Sequence, residues 1–181
     1  MEEAAKRKLS NFSTTAQALK HYLSDKNVAL MEGNGVLSKS EMVARHEILI
    51  EEYCNEIAIE ASTLTDMVRR EIIPGVSTYE RDLCRTVIDR LQVLGACPSD
   101  IESGICLRLA SDNAKLDDLS DKLEMSLLKA PKTMDDKSTA YFHDKVLDLM
   151  EQIRAVVNDA EKITPDRHWP YPTYKDLLFS V

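Results

Sequence analysis

Residues 38–73 read SKSEMVARHEILIEEYCNEIAIEASTLTDMVRREII, and a single helical pattern runs through this whole segment. It begins at Ser38–Glu41 with a capping-box pattern, in which a serine hydroxyl and a glutamate satisfy free backbone N–H groups at a helix start. Apolar side chains then recur at steps of three and four residues, which places them on one face of an α-helix. The segment therefore predicts a long helix with one continuous apolar stripe: Met42, His46, Leu49, Tyr53, Ile57, Ala61, Leu64 and Val68.

Pro74-Gly75 interrupts this pattern, but the same stripe resumes after it. Proline removes a backbone donor and clashes with the preceding turn, so a kink is expected there. A kinked continuation is favoured over a loop because the apolar face is kept, until Gly95 to Pro98 ends it. The resumed stripe consists of Val76, Tyr79, Leu83, Val87, Leu91 and Leu94.

Shorter helical patterns lie on both sides of this segment. A helix over 15–23 is predicted behind a cap at Ser13 or Thr14, and another over 25–33 ends at Gly33-Asn34-Gly35. A helix over about 100–130, closed by Pro131, carries acidic residues on its outer face, namely Asp112, Asp117, Asp118, Asp121 and Glu124. The last helix has a seam with heptad spacing, which is typical of antiparallel or coiled-coil packing. That seam consists of Phe142, Val146, Leu149, Ile153, Val156, Ala160 and Ile163.

Composition agrees with long helices. The chain has 181 residues, 44% apolar and 30% charged, with 5 glycines and 6 prolines, too few turn-formers for a β-sandwich or barrel. The predicted fold is all-α: a bundle of long antiparallel helices with one proline-kinked long helix and an extended aromatic C-terminal tail.

Charge and targeting signals exclude several partner classes. Lys and Arg total 23 against 31 Asp and Glu, a formal net charge of −8, so a nucleic-acid partner is not expected. No apolar run is long enough to span a bilayer, and the N-terminus lacks a signal-peptide stretch. The chain is therefore predicted to be cytoplasmic, with no membrane partner and with its four cysteines as reduced thiols.

Reactive or ligand-binding constellations are not apparent. His46-Glu47 does not complete H-E-x-x-H, because position 50 is Ile50, and no phosphate-cradling glycine motif occurs. Asp66 with Arg69 and Arg70 is interpreted as ordinary pairing on a helix surface. The prediction is no catalytic, no cofactor-binding and no metal-binding residue in this chain.

The C-terminal residues form a tail rich in aromatic side chains and prolines. The prolines favour an extended path at its start, and so apolar a segment is expected to dock on the bundle or on another surface. The predicted docking residues are Trp169, Tyr171, Tyr174, Leu177, Leu178 and Phe179.

Three stretches of the sequence are distinctive when taken together. The first runs from Thr14-Thr15-Ala16-Gln17-Ala18-Leu19 to Gly35-Val36-Leu37, and the second from Arg45-His46-Glu47-Ile48-Leu49 through Ile59-Glu60-Ala61 and Asp66-Met67 to Ile72-Ile73-Pro74. The third is the terminus, Trp169-Pro170-Tyr171-Pro172-Thr173-Tyr174-Lys175-Asp176-Leu177-Leu178-Phe179. In this order the three stretches resemble the C-terminal region of type III glutamine synthetases.

The resemblance implies a large cytosolic ligase that joins glutamate and ammonia to form glutamine. Such an enzyme uses ATP and a divalent metal, Mg or Mn, and assembles as a homo-oligomer of stacked hexameric rings. Its active site lies in an upstream catalytic domain, none of whose motifs is present here. The segment by itself is accordingly predicted to be inactive, and its partners to be that catalytic domain and neighbouring subunits.

On this reading residues 1–12 are a helical lead-in from an upstream domain, and residues 13–181 form a helical C-terminal domain with a structural role in assembly. Within that domain, 96–138 is predicted to be a variable, partly mobile segment and 165–181 the docking tail. The alternative is a stand-alone helical scaffold or adaptor without catalytic activity.

Overall fold

The computed structural model describes residues 6–7, 10–95, 101–133, 135–172 and 174–179, with the backbone alone at 174, 175 and 179. The described residues form helices joined by short connections, and none of them lies in a β-strand. The α-helices are α1 (Thr15–Lys20), α2 (Asp25–Gly33), α3 (Lys39–Met67), α4 (Ile73–Leu94), α5 (Ile101–Leu128), α6 (Asp136–Tyr141), α7 (Asp148–Glu161) and α8 (Tyr174–Phe179). Two π-helical turns, Val68–Ile72 and Phe142–Leu147, and a 3₁₀ turn at Asp166–His168 connect some of them.

The local helix signals are confirmed at the residues that carry them. The Thr14 hydroxyl accepts from the Gln17 N–H at the start of α1. At the start of α3 the Ser38 N–H donates to the Glu41 carboxylate at 2.8 Å, and the Glu41 N–H donates back to the Ser38 hydroxyl at 3.3 Å. The bond from the Ser38 N–H, together with one from the Ser38 hydroxyl to the same carboxylate at 2.7 Å, lowers the pKa of Glu41. Gly95 ends α4 in the left-handed conformation, with φ at 69°.

The long helical run passes Pro74 without a break. Helix extends from Lys39 to Leu94, and the π turn at Val68–Ile72 lies immediately before Pro74. In that turn the Ile73 N–H bonds to the Val68 carbonyl, the wider spacing of a π-helix. Such a turn gives a proline ring room that a regular α-helix does not offer, so the predicted continuation is observed.

The chain divides into two compact units. The first comprises Met1–Ile59 with Lys129–Leu147, and the second comprises Glu60–Leu128 with Asp148–Val181. In the first unit α1 packs against α6, and the His46 ring lies 3.0 Å from the Leu19 carbonyl oxygen. His46 is thus a structural histidine. The buried apolar residues of this unit are Ala16, Leu19, Met42, Ile50, Cys54, Ile57, Phe142 and Val146.

In the second unit α5 packs against both α4 and α7. In the contacts between α4 and α5, a later residue of one helix meets an earlier residue of the other. Asn113 contacts Glu80 at 3.1 Å, whereas Cys106, earlier on α5, contacts Cys84, later on α4. The two helices are therefore antiparallel. The core residues of this unit include Ala61, Val68, Ile72, Val76, Leu83, Leu109, Leu116, Leu123, Leu149, Ile153 and Ala160.

Several positions differ from the sequence-based expectation. Asp112, predicted on the outer face, is buried and pairs with Lys115 at 3.1 Å, because α5 is covered on two sides rather than one. Leu49, Leu91 and Leu94, predicted in the stripe, are 39%, 47% and 61% exposed, whereas Ile50 beside Leu49 is buried. The C-terminal path is not extended throughout, because Tyr174–Phe179 turn into a short helix beyond the last proline.

Arg69 also differs from the expected surface pairing. Its guanidinium reaches across to α5, where it contacts Asp121, meets Glu124 at 2.7 Å and lies 3.9 Å from Asp117. Of these two arginines, Arg70 is the one that pairs along its own helical run, with Asp66 at 3.5 Å. Arg69 thus supplies one positive charge to three carboxylates on a facing helix.

We expect Arg69→Ala to cost about 1–2 kcal/mol of unfolding free energy, since it removes a network and leaves like charges side by side. Arg70→Ala, a matched control one residue away, is expected to cost about 0.3–0.5 kcal/mol. Urea denaturation at low and high salt measures both, and the difference between the variants should shrink in high salt. Equal losses for the two variants would contradict a bridging role for Arg69.

Candidate docking site for the C-terminal segment

The C-terminal segment leaves α7 through a turn that proline shapes. The chain turns back at Pro165, whose carbonyl accepts from the His168 N–H at 2.8 Å, and the Asp166 carbonyl accepts from the Trp169 N–H at 3.1 Å. Trp169 then takes an extended conformation, as expected for a residue that precedes Pro170. This turn lays the segment against α4.

Gly75 is a point on α4 where the backbone of the segment passes close to the helix. A Cβ atom placed on Gly75 would lie 2.6 Å from the His168 carbonyl oxygen and 3.6 Å from Cδ of Pro170. The first distance is far below van der Waals contact, and the obstacle is backbone rather than a flexible side chain. Only glycine admits this crossing.

The His168 side chain adds contacts one and two turns further along α4. Its ring centroid lies 5.4 Å from that of Tyr79, and its Nε2 lies 3.4 Å from an Asp82 carboxylate oxygen. Only 10% of the His168 side chain is exposed. The segment is thus anchored by backbone fit at Gly75 and by an aromatic and polar contact beyond it.

The six residues predicted from the tail separate into three groups. Trp169 is buried, and Tyr171 is half-buried, where burial and the neighbouring Glu71 carboxylate raise the pKa of its phenol to about 12. Leu177 and Leu178 are 64% and 73% exposed on α8. The side chains of Tyr174 and Phe179, the first and last residues of α8, lie outside the described residues.

Sequence reasoning missed the other half of this site. The sequence pattern assigns no docking role to Gly75, Tyr79, Asp82 or His168; it predicts a kinked continuation at Pro74-Gly75 and places Tyr79 in the apolar stripe. One signal is available, because a glycine inside a continuing helical pattern costs stability relative to alanine and so indicates a packing reason. We call Gly75, Tyr79, Asp82, His168 and Trp169 the docking site.

Large apolar side chains are exposed where α4 ends and α5 begins. Val93 is 81% exposed, and five others in these two stretches are exposed as well. Exposed apolar side chains that form a patch are typical of interaction surfaces. We call these six residues the apolar end: Ile88, Leu91, Val93, Leu94, Ile101 and Leu107.

Within the described ranges, no group of three or more His, Cys, Asp or Glu side chains could hold a metal ion. None of the helices in the part of the chain that the structure describes is long and apolar enough to cross a membrane.

Comparison with known proteins identifies relatives along the whole chain. Residues 1–90 match the family model of the glutamine synthetase C-terminal domain. The chain is 31% identical over 182 residues to glutamine synthetase from Butyrivibrio fibrisolvens, covering 100% of this chain and 26% of that protein. It is 28% identical to type-3 glutamine synthetase from Dictyostelium discoideum and 26% identical to glutamine synthetase from Bacteroides fragilis, covering 98% and 99% of this chain and 25% of each relative.

The chain therefore spans about a quarter of the length of each of these relatives. The match to that family model and the relatives that align along the chain show that the chain belongs to the family of glutamine synthetase C-terminal domains.

Proposed function

We propose that this chain acts as the C-terminal helical domain of a type III glutamine synthetase and serves subunit assembly rather than chemistry. The parent enzyme is a cytoplasmic glutamate–ammonia ligase in which ATP and Mg or Mn are bound by the catalytic domain. A type-3 enzyme among the relatives supports this choice. Because the chain corresponds to a quarter of those enzymes, the reaction itself is assigned to the remaining three quarters.

The observation that carries the structural role is the apolar end of α4 and α5. Six large apolar side chains exposed toward one end of a helix pair favour contact with protein, since interface cores are apolar and depleted in charge. The docking site supports the same structural role, because the C-terminal segment packs there against one side of α4. We propose that the segment 165–181 is a docking tail and that a bend at Pro74 aims α4 toward the neighbouring catalytic domain or subunit in the hexameric rings.

A chimera tests this assignment. The quarter of the Butyrivibrio fibrisolvens enzyme that aligns with this chain is replaced by residues 1–181, and particle mass is measured by light scattering together with glutamine formation. We expect an assembled and active chimera. Val93→Asp should then reduce the assembled fraction at least tenfold, because burying one unpaired charge in an apolar interface costs more than about 1.4 kcal/mol.

Leu128→Asp is the matched control, because Leu128 is 80% exposed at the opposite end of α5 while Val93 is 81% exposed. It should leave particle mass unchanged. Equal effects of the two substitutions, or an unassembled chimera, would argue against the assembly role and favour a stand-alone scaffold. The isolated chain should form no glutamine from glutamate, ammonia and ATP, and turnover that co-purifies with it would place chemistry in this segment.

A further inference from the structure

Two cysteines meet across the contact between α4 and α5. The sulfur atoms of Cys84 and Cys106 lie 3.4 Å apart, and both residues are free thiols. An ion pair between Arg90 and Glu102, at 2.7 Å, holds the same two helices together close by. The thiols are thus brought together by helix packing, although they lie more than twenty positions apart in the sequence.

The pair is accessible from solvent. Cys84 is exposed and Cys106 is half-buried. Both line an open apolar cavity of about 410 Å³, together with Val87, Ile88 and Leu107. A small thiol reagent can therefore reach Cys84 first. Cys54, in contrast, is buried in the first unit, where burial raises its pKa.

We propose that Cys84 and Cys106 form a reversible intrachain disulfide that links α4 to α5 when the chain meets a small disulfide oxidant such as oxidised glutathione. A disulfide needs the sulfurs at about 2.0 Å, so the two sulfurs must approach by about 1.4 Å to form the bond. The inference goes beyond the assembly role and does not depend on it.

The reaction is a pair of thiol–disulfide exchanges. The Cys84 thiolate attacks one sulfur of oxidised glutathione, whose S–S bond breaks and releases one glutathione thiolate. The Cys106 thiolate then attacks the Cys84 sulfur of the mixed disulfide and releases the second glutathione. Two protons pass from the cysteines to the departing glutathiones, and two electrons pass from the thiol pair to the oxidant. Burial and the neighbouring Cys84 raise the pKa of Cys106 to about 11, so the exposed Cys84 is the better nucleophile for the first step.

The test uses the folded chain in a series of reduced and oxidised glutathione ratios, with acid quenching and intact mass measurement. We expect a loss of about 2 Da, reversed by dithiothreitol. Trypsin alone leaves Cys97 and Cys106 in one peptide, so a second protease that cuts after Glu102 separates them. The linked peptide pair should contain Cys84 and Cys106.

Matched variants complete the experiment. Cys84→Ser and Cys106→Ser should each abolish the mass loss, and Cys97→Ser should keep it. A linkage that involves Cys97, a glutathione adduct that persists on Cys84, or an unchanged mass under oxidising ratios would each overturn the proposal. Since the wild-type chain itself reports the linkage, the outcome does not rest on how well any variant folds.

Discussion

Replacing Leu116 by alanine is expected to lower the free energy of unfolding by about 2–5 kcal/mol, the cost of emptying a fully enclosed leucine site. Leu116 is 0% exposed on α5, the helix that α4 and α7 cover from two sides. Its neighbours one heptad away, Leu109 and Leu123, are equally buried, so the surrounding core has little freedom to collapse into the cavity. Urea denaturation followed by circular dichroism measures the loss.

Leu128→Ala provides the control, because Leu128 belongs to the same helix but is 80% exposed. That substitution should change the free energy of unfolding by no more than about 0.5 kcal/mol. A loss at Leu128 comparable to that at Leu116 would mean that α5 does not run between α4 and α7 as described.

The helices themselves could be predicted because their signals are local. A capping box such as Ser38 with Glu41 spans one turn, and a C-terminal glycine such as Gly95 acts on the residues next to it. Apolar spacing then shows which face is buried, as at Leu109, Leu116 and Leu123. None of these features depends on knowing the partner of a helix.

Positions that depend on a partner helix could not be predicted in the same way. Asp112 is buried because α5 has two neighbours, and spacing along α5 alone indicates only one apolar face. Arg69 pairs with Asp121 and Glu124 on another helix, whereas spacing along the sequence predicts a pair with Asp66. The contact between Cys84 and Cys106 is of the same kind, since it follows from the antiparallel register of α4 and α5.

The docking site is the part of the structure that the sequence pattern predicts least well. Pro74-Gly75 has a strong local meaning as a helix interruption, yet the reason for glycine there is the backbone of His168, from the far end of the chain. Trp169 and Tyr171 are predicted to dock because an apolar tail should not remain in water. The glycine on α4 that the segment crosses gives no apolar signal, because a glycine contributes space rather than contact.

Gly75→Ala is expected to displace the C-terminal segment and to destabilise the chain by about 1–2 kcal/mol. The new methyl group would meet the His168 carbonyl oxygen at 2.6 Å, and overpacking against backbone costs about 1–3 kcal/mol. Alanine recovers up to about 1 kcal/mol of helix propensity, which offsets the clash only in part. Trp169 is the single tryptophan of the chain and is buried, so its emission should shift to longer wavelength as the segment moves away.

Gly104→Ala separates this steric effect from helix propensity. Gly104 also lies inside a helix, α5, but nothing is within 4 Å of the position that its Cβ would take. Alanine there should stabilise the chain by about 0.5–1 kcal/mol and leave tryptophan emission unchanged. If Gly75→Ala behaved like Gly104→Ala, gaining stability without a shift in emission, the segment would not lie against Gly75. Because both changes add one methyl group to a helical glycine, only the backbone at His168 can make them differ in sign.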